Sequence, residues 1–286
     1  MSLVHRVRRI NIKDIQKLKG RRPIVALTAY SATMAARIDS HVDLILVGDS
    51  LGMVLYGFDN TLPVTLDMMT LHGKVVVKAS SQSCVIIDLP FGSYQESREQ
   101  AFHSASQLMK DTGANGIKLE GGEEMKETIS FLVDRNIPVL AHIGLMPQSV
   151  KKTGGYRVRG KTEKEAKQLI KDAKLVQKAG AFAVVLEGIW EPVARKISSI
   201  LKIPTIGIGA SPSCDGQILV TEDLLGMYSN FTPKFVKRYS ELGSDIESAV
   251  SRFSMEVKSR TFPGPEHCFG FSDLPSQINK LKKTKI

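Results

Sequence analysis

Five apolar runs in succession, each stopping on a side chain that can bind metal or move a proton, constrain this chain more than any other feature. Leu44–Val47 runs into Gly48, Asp49 and Ser50. Cys84–Ile87 ends on Asp88, Gly116–Leu119 on Glu120, Val139–Ala141 on His142 and Val184–Leu186 on Glu187. A short apolar run bounded by turn residues reads as a strand buried on both faces, as in a parallel sheet. A single acid at such an end is an ordinary helix cap. Chance caps on five consecutive strands are a poorer account than one shared rim.

Helical patterns separate the runs. Residues 11–18 predict a short N-terminal helix, with Ile12, Ile15 and Leu18 on one face. Strands are expected at 23–29, 44–47, 84–88, 116–120, 138–142, 184–187, 204–210 and 216–220. Helices are expected at 32–39, 66–80, 96–112, 123–135, 162–179 and 191–201, and a C-terminal helical extension at 245–258. Eight strands alternating with helices over about 200 residues predict an α/β chain folded as a (β/α)8 TIM barrel. A doubly wound sheet is the other candidate, but the barrel uses all the strands and needs no domain boundary. One barrel domain over residues 1–286 is expected, with 276–286 a basic tail. In a barrel every strand points the same way, so the five polar ends meet at the rim where barrel active sites lie. The connection 144–161, glycine-rich and basic, is long enough to read as a functional loop or lid.

The formal net charge of +10 sits largely in the ends and in 151–174. It fits an anionic substrate as well as nucleic acid, and no zinc-finger spacing or aromatic RNA-binding motif accompanies it. The odd cysteine count, Cys84, Cys214 and Cys268, lacks metal-like spacing and argues against a disulfide framework. The first residues carry arginines with no apolar core behind them, so no signal peptide is expected. No run is long enough to span a bilayer, and a cytoplasmic setting without membrane partners is expected.

Asp49, Asp88 and Glu120 offer hard oxygens from three successive strands, a donor set suited to Mg²⁺ or Mn²⁺. Lys118 lies two residues before Glu120 and leaves the strand on the same face. It either pairs with Glu120 or holds a substrate carboxylate or oxyanion beside the metal. Glu187 stands apart and is placed to act as a general base, its pKa raised by burial. His142 orients substrate, shuttles a proton or is a satisfied core histidine. Gly207, Gly209 and Asp215–Gly216 make a glycine-rich rim of the kind that holds phosphate in many barrels, or that simply relieves crowding. Together these residues predict a magnesium-dependent enzyme that forms an enolate next to a chelated carbonyl, the metal acting as Lewis acid and template.

At these residues the chain resembles the ketopantoate (3-methyl-2-oxobutanoate) hydroxymethyltransferase family. The matching segments are 47–52 (VGDSLG), 61–65 (TLPVT), 88–91 (DLPF), 118–122 (KLEGG), 142–149 (HIGLMPQS), 154–156 (GGY), 207–210 (GIGA) and 214–220 (CDGQILV). The resemblance covers residues 4–271 and keeps the order of the expected strands. It implies a (β/α)8 enzyme of pantothenate and coenzyme A biosynthesis that transfers a hydroxymethyl group from 5,10-methylenetetrahydrofolate to α-ketoisovalerate, giving ketopantoate and tetrahydrofolate. It further implies Mg²⁺ on Asp49, Asp88 and Glu120, and keto-acid contacts from Asp49, Ser50, Asp88, Lys118 and His142. Glu187 is implied as the base, and the assembly as a homo-oligomer, a decamer of paired pentamers. The chain departs from the family pattern at Gly188 and at Ser211–Pro212, away from the expected ligands. Lys151, Lys152, Arg157 and Arg159 are expected to attract the anionic glutamate tail of the folate. The alternatives are another Mg²⁺-dependent enolate enzyme, of the phosphoenolpyruvate mutase or isocitrate lyase type, and more remotely a nucleic-acid-binding barrel without activity.

Overall fold

The structure, a computed structural model, describes residues 8–228 and 232–269. Eight strands close into an all-parallel barrel in sequence order: β1 (Ile24–Thr28), β2 (Leu44–Val47), β3 (Cys84–Asp88), β4 (Gly116–Glu120), β5 (Val139–Gly144), β6 (Ala183–Glu187), β7 (Thr205–Ile208) and β8 (Gly216–Leu219), which pairs with β1. The expected (β/α)8 fold is the one observed.

Strand alternation divides the core in two. Ile24, Ala26, Leu44, Leu46, Cys84, Ile86, Leu140, Ala183, Val185, Ile206 and Ile218 form the barrel interior. The short N-terminal helix Ile12–Leu18 belongs to this inner cluster, with Ile15 fully buried in it. The alternate residues, Ile45, Val47, Val85, Ile87, Ile117, Leu119, Val184 and Leu186 among them, face outward against the helices. Helix ends are written locally. Asn11 and Asp14 form a capping box, and Thr65, Ser97 and Thr162 each accept a hydrogen bond from a first-turn backbone N–H. The helix Arg98–Thr112 buries Ala101, Ala105 and Leu108 and stops at Gly113, whose φ of 76° suits glycine.

The described residues up to Leu224, with Pro233–Lys237, form one compact unit. The described residues from Leu225 onward, apart from that segment, form a second, whose main element is the helix Leu242–Lys258. That helix has no buried residue and exposes Ile246, Val250, Phe253 and Val257. The expected basic tail at 276–286 lies outside the described residues. Among the described residues, no helix is long and apolar enough to cross a membrane.

Candidate active site

The same alternation that builds the inner core sets the site. In β3, Cys84 and Ile86 point inward, so Asp88 does too; Lys118 and Glu120 in β4, His142 in β5 and Glu187 in β6 follow by the same parity. Register then fixes the neighbours: Asp88 lies opposite Lys118, Glu120 opposite His142 and Gly144 opposite Glu187. Gly144 is needed there, because its φ is 107° and a Cβ would collide with the Glu187 carbonyl.

Lys118 Nζ donates to Asp88 Oδ1 at 2.9 Å, with both side chains at most 6% exposed. Of the two readings of Lys118, the ion pair exists but with Asp88 and not Glu120, because the β3–β4 register sets Lys118 and Asp88 side by side. Asp88 Oδ2 accepts the backbone N–H of Asp49 at 3.1 Å, which ties the end of β2 to the end of β3. Ser50 Oγ is 2.7 Å from the Tyr30 hydroxyl. His142 Nε2 lies 2.8 Å from the Leu145 carbonyl, which can only accept, so this nitrogen carries the proton. The same nitrogen is 3.4 Å from Glu187 Oε2, and His142 Nδ1 is 3.8 Å from Glu120 Oε1.

Burial pushes the Glu187 carboxyl up to about 8, with Asp49 and Asp88 adding to the rise and Lys118 opposing it. Burial, then the charge of Asp88, raises Asp49; burial, then the charge of Asp49, holds Glu120 well above the usual carboxylate range. Burial opposes the Lys118 charge, but Asp88, Glu120 and Asp49 together hold its ammonium above the ordinary value. Burial and the Lys118 charge push His142 well below its usual value, so the ring is neutral. Its Nδ1 and the facing Glu120 Oε1 are both buried with no hydrogen-bond partner. Four acids and one lysine thus share the rim, with a bare carboxylate oxygen aimed at an imidazole lone pair. A hard divalent cation fits that deficit of positive charge, since its preferred ligands are oxygens. Among the described residues, no three His, Cys, Asp or Glu side chains are already gathered as a ligand set.

Two residues in this cluster carry no strand-end signal. Gln148, in the 3-10 turn Pro147–Ser149, donates from Nε2 to Asp49 Oδ2 at 2.8 Å, and its backbone N–H donates to Glu120 Oε2 at 3.1 Å. Tyr94 donates to Gln148 Oε1 at 2.6 Å. Gln148 falls within one of the family-like segments, but nothing in the sequence gives it a role; Tyr94 has no sequence signal at all.

Other expectations change. Asp215 lies at the opposite end of the barrel from the acids, where its Oδ2 accepts from Lys19 Nζ at 2.6 Å and from the backbone N–H of Thr205 at 2.9 Å. At Gly216 a Cβ would stand 2.5 Å from the Ile24 carbonyl, so the glycine there relieves crowding. The 144–161 connection is partly ordered, with a short helix Val150–Thr153 after the 3-10 turn and Arg159 bridged to Ile189. Lys152, Arg157 and Arg159 line a cavity of about 160 Å³ together with Glu124 and Tyr156, whereas Lys151 is not in its wall. Arg159 Nε also lies 3.6 Å from Glu165 Oε1.

Fold and rim together define an acid-rimmed (β/α)8 barrel. Solved structures of this shape include 2,3-dimethylmalate lyase, a PEP mutase/isocitrate lyase superfamily member, with a TM-score of 0.56, 15% identity and coverage of 96% of this chain and 95% of that one. Phosphonopyruvate hydrolase in complex with oxalate and Mg²⁺ has a TM-score of 0.57, 11% identity and coverage of 96% and 98%. At that identity the likeness concerns the fold alone. The model of the ketopantoate hydroxymethyltransferase family matches residues 9–265. The 3-methyl-2-oxobutanoate hydroxymethyltransferase of Sinorhizobium fredii is 59% identical over 269 residues, covering 94% of this chain and 98% of its own length. That of Brucella canis is 56% identical over 263 residues, covering 92% and 96%. The chain belongs to the ketopantoate hydroxymethyltransferase family.

Proposed function

We propose that the chain carries out its family's reaction at the rim of β2 to β6. It is a hydroxymethyltransferase that moves a one-carbon unit from 5,10-methylenetetrahydrofolate to α-ketoisovalerate, giving ketopantoate, with magnesium. The observation that carries the residue assignment is the inward parity that gathers Asp88, Lys118, Glu120, His142 and Glu187 over four adjacent strands. Asp49 and Asp88 are the carboxylates for the metal. Glu120, with its unpartnered oxygen, is the third acid, acting directly or through water, since magnesium takes only one or two protein carboxylates and keeps several waters. When bound, the metal polarises the chelated keto acid as a Lewis acid.

The protein groups supply the rest. Lys118 holds the negative charge of the keto acid, and Ser50 and His142 orient it. Glu187 takes the C3 proton, for which a pKa near the working pH is suited. The carbon nucleophile so formed attacks the one-carbon unit of the folate, and water completes the hydroxymethyl product. Lys152, Arg157 and Arg159 attract the folate's glutamate carboxylates into the cavity beside the site. The family resemblance supports a cytoplasmic homo-oligomer, a decamer. The exposed apolar side chains Ile246, Val250 and Phe253 support assembly of copies.

The test is to mix the protein with α-ketoisovalerate and methylenetetrahydrofolate, with and without Mg²⁺, and follow ketopantoate by proton NMR. Magnesium-dependent product is expected. Absence of both product and C3 proton exchange in D2O, from a folded sample, sinks the assignment.

A further inference from the structure

We propose that Gln148 is a positioning residue that presents Asp49 and Glu120 to the divalent cation, with Tyr94 locking its amide. The inference rests on the magnesium reading above.

A glutamine side chain has two N–H donors and an oxygen with two acceptor positions. All four are used here. Nε2 donates to Asp49 Oδ2 at 2.8 Å and to the Leu89 carbonyl at 2.9 Å. Oε1 accepts from the Tyr94 hydroxyl at 2.6 Å and from Gln95 Nε2 at 3.1 Å. Reversing the amide would set its oxygen against the Asp49 carboxylate and the Leu89 carbonyl, both acceptors, so only one orientation fits. The Tyr94 hydroxyl also accepts the backbone N–H of Glu120 at 3.1 Å, so the lock and the acid share a partner.

The consequence falls on two carboxylates that repel each other. Gln148 gives a side-chain donor to Asp49 and a backbone donor to Glu120 Oε2 at 3.1 Å. It fixes one oxygen of each acid and leaves Glu120 Oε1 without a partner. Being neutral, it does this without cancelling their charge. A lysine in its place would pair with both acids and remove the negative field a cation needs. Gln148 is 5% exposed and Tyr94 1%, so solvent does not substitute for their hydrogen bonds.

The experiment is Mn²⁺ binding to the substrate-free protein, read by electron paramagnetic resonance, alongside the Mg²⁺ dependence of turnover. Gln148→Met keeps the shape and the backbone N–H to Glu120 and removes the side-chain donors to Asp49 and Leu89. Its Kd for Mn²⁺ should rise about 10- to 100-fold, the usual effect of losing a hydrogen bond that orients a ligand. Its kcat should recover at saturating Mg²⁺, a split that general damage to the site does not produce. Tyr94→Phe removes one oxygen and should raise Kd by about 2- to 10-fold. A wild-type Kd in Gln148→Met overturns the inference. Should that variant not fold, a wild-type Kd in Tyr94→Phe overturns it. Asp88→Asn separates the underlying reading: wild-type Mn²⁺ binding there overturns the metal site and the inference with it.

Discussion

Glu187 is the side chain on which the pH behaviour turns. Glu187→Gln should lower kcat by about 100- to 10,000-fold, the usual worth of a positioned base, with an unchanged circular dichroism spectrum. Near-normal turnover would remove it from the role. With Glu187 as the proposed base, the carboxylate is the form needed, and kcat/KM for the keto acid should rise as the pH passes through about 8. Stability runs the other way. The folded pKa, about 8, lies above the ordinary 4.5, so between those values the folded chain holds the proton more tightly than the unfolded one. This group's contribution therefore falls as pH rises through that window. Glu187→Gln should melt above the wild type at alkaline pH and lose that advantage in acid. Asp88, Lys118, Glu120, His142 and Glu187 were legible in the sequence because a strand end and a period of two place them. The Lys118 partner was not, since a choice between Asp88 and Glu120 needs the inter-strand register, which no single strand encodes. Gln148 sits in a single 3-10 turn and Tyr94 in a loop, both too short for a period to apply.

At the scale of elements, one buried acid joins two pieces of chain. Asp39, at the end of the helix Ala32–Ile38, accepts the backbone N–H groups of Ser81, Gln82 and Ser83 and so fastens the entry to β3. Burial opposes its charge, but these donors hold its pKa below the usual range. Its contribution is thus present above the unfolded pKa and lost as pH falls through the folded one. Asp39→Ala should cost about 3 kcal/mol in urea unfolding, because it leaves buried donors without acceptors. A loss under about 0.5 kcal/mol would show that water replaces it. Strands and long helices were readable to within a residue or two at most ends, since caps such as Thr65 and Ser97 are local signals. The short helix Leu51–Val54 was not, being too brief for a period to emerge. Asp215 stands at the end of the barrel opposite the rim that its glycine-rich surroundings suggest. The β7–β8 connection, residues 209–215, contains no helix, so the chain is already back at the start of β8 when it reaches that residue.

At the scale of the molecule, charge is sorted by depth. Acids gather in the rim, while Lys152, Arg157 and Arg159 border the adjoining cavity on a chain of net charge +10. The KM for a polyglutamylated folate should climb between low and physiological salt, as screening shortens the reach of those charges. A folate KM indifferent to salt would refute the basic cavity's role. Light scattering should give the mass of a decamer, and a monomer at micromolar concentration would refute assembly.

The clamp at Gln148 also bears on how the protein is made. Asp49, Asp88 and Glu120 have all been synthesised well before Gln148 leaves the ribosome, and β8 closes against β1 only after residue 216. A nascent chain therefore carries its acids for some time without the amide that sets them apart or the last strand that shelters them. On the metal reading proposed above, loading would be a late event in biogenesis, and a chain truncated before residue 148 should hold a divalent cation at this rim less tightly than the full chain.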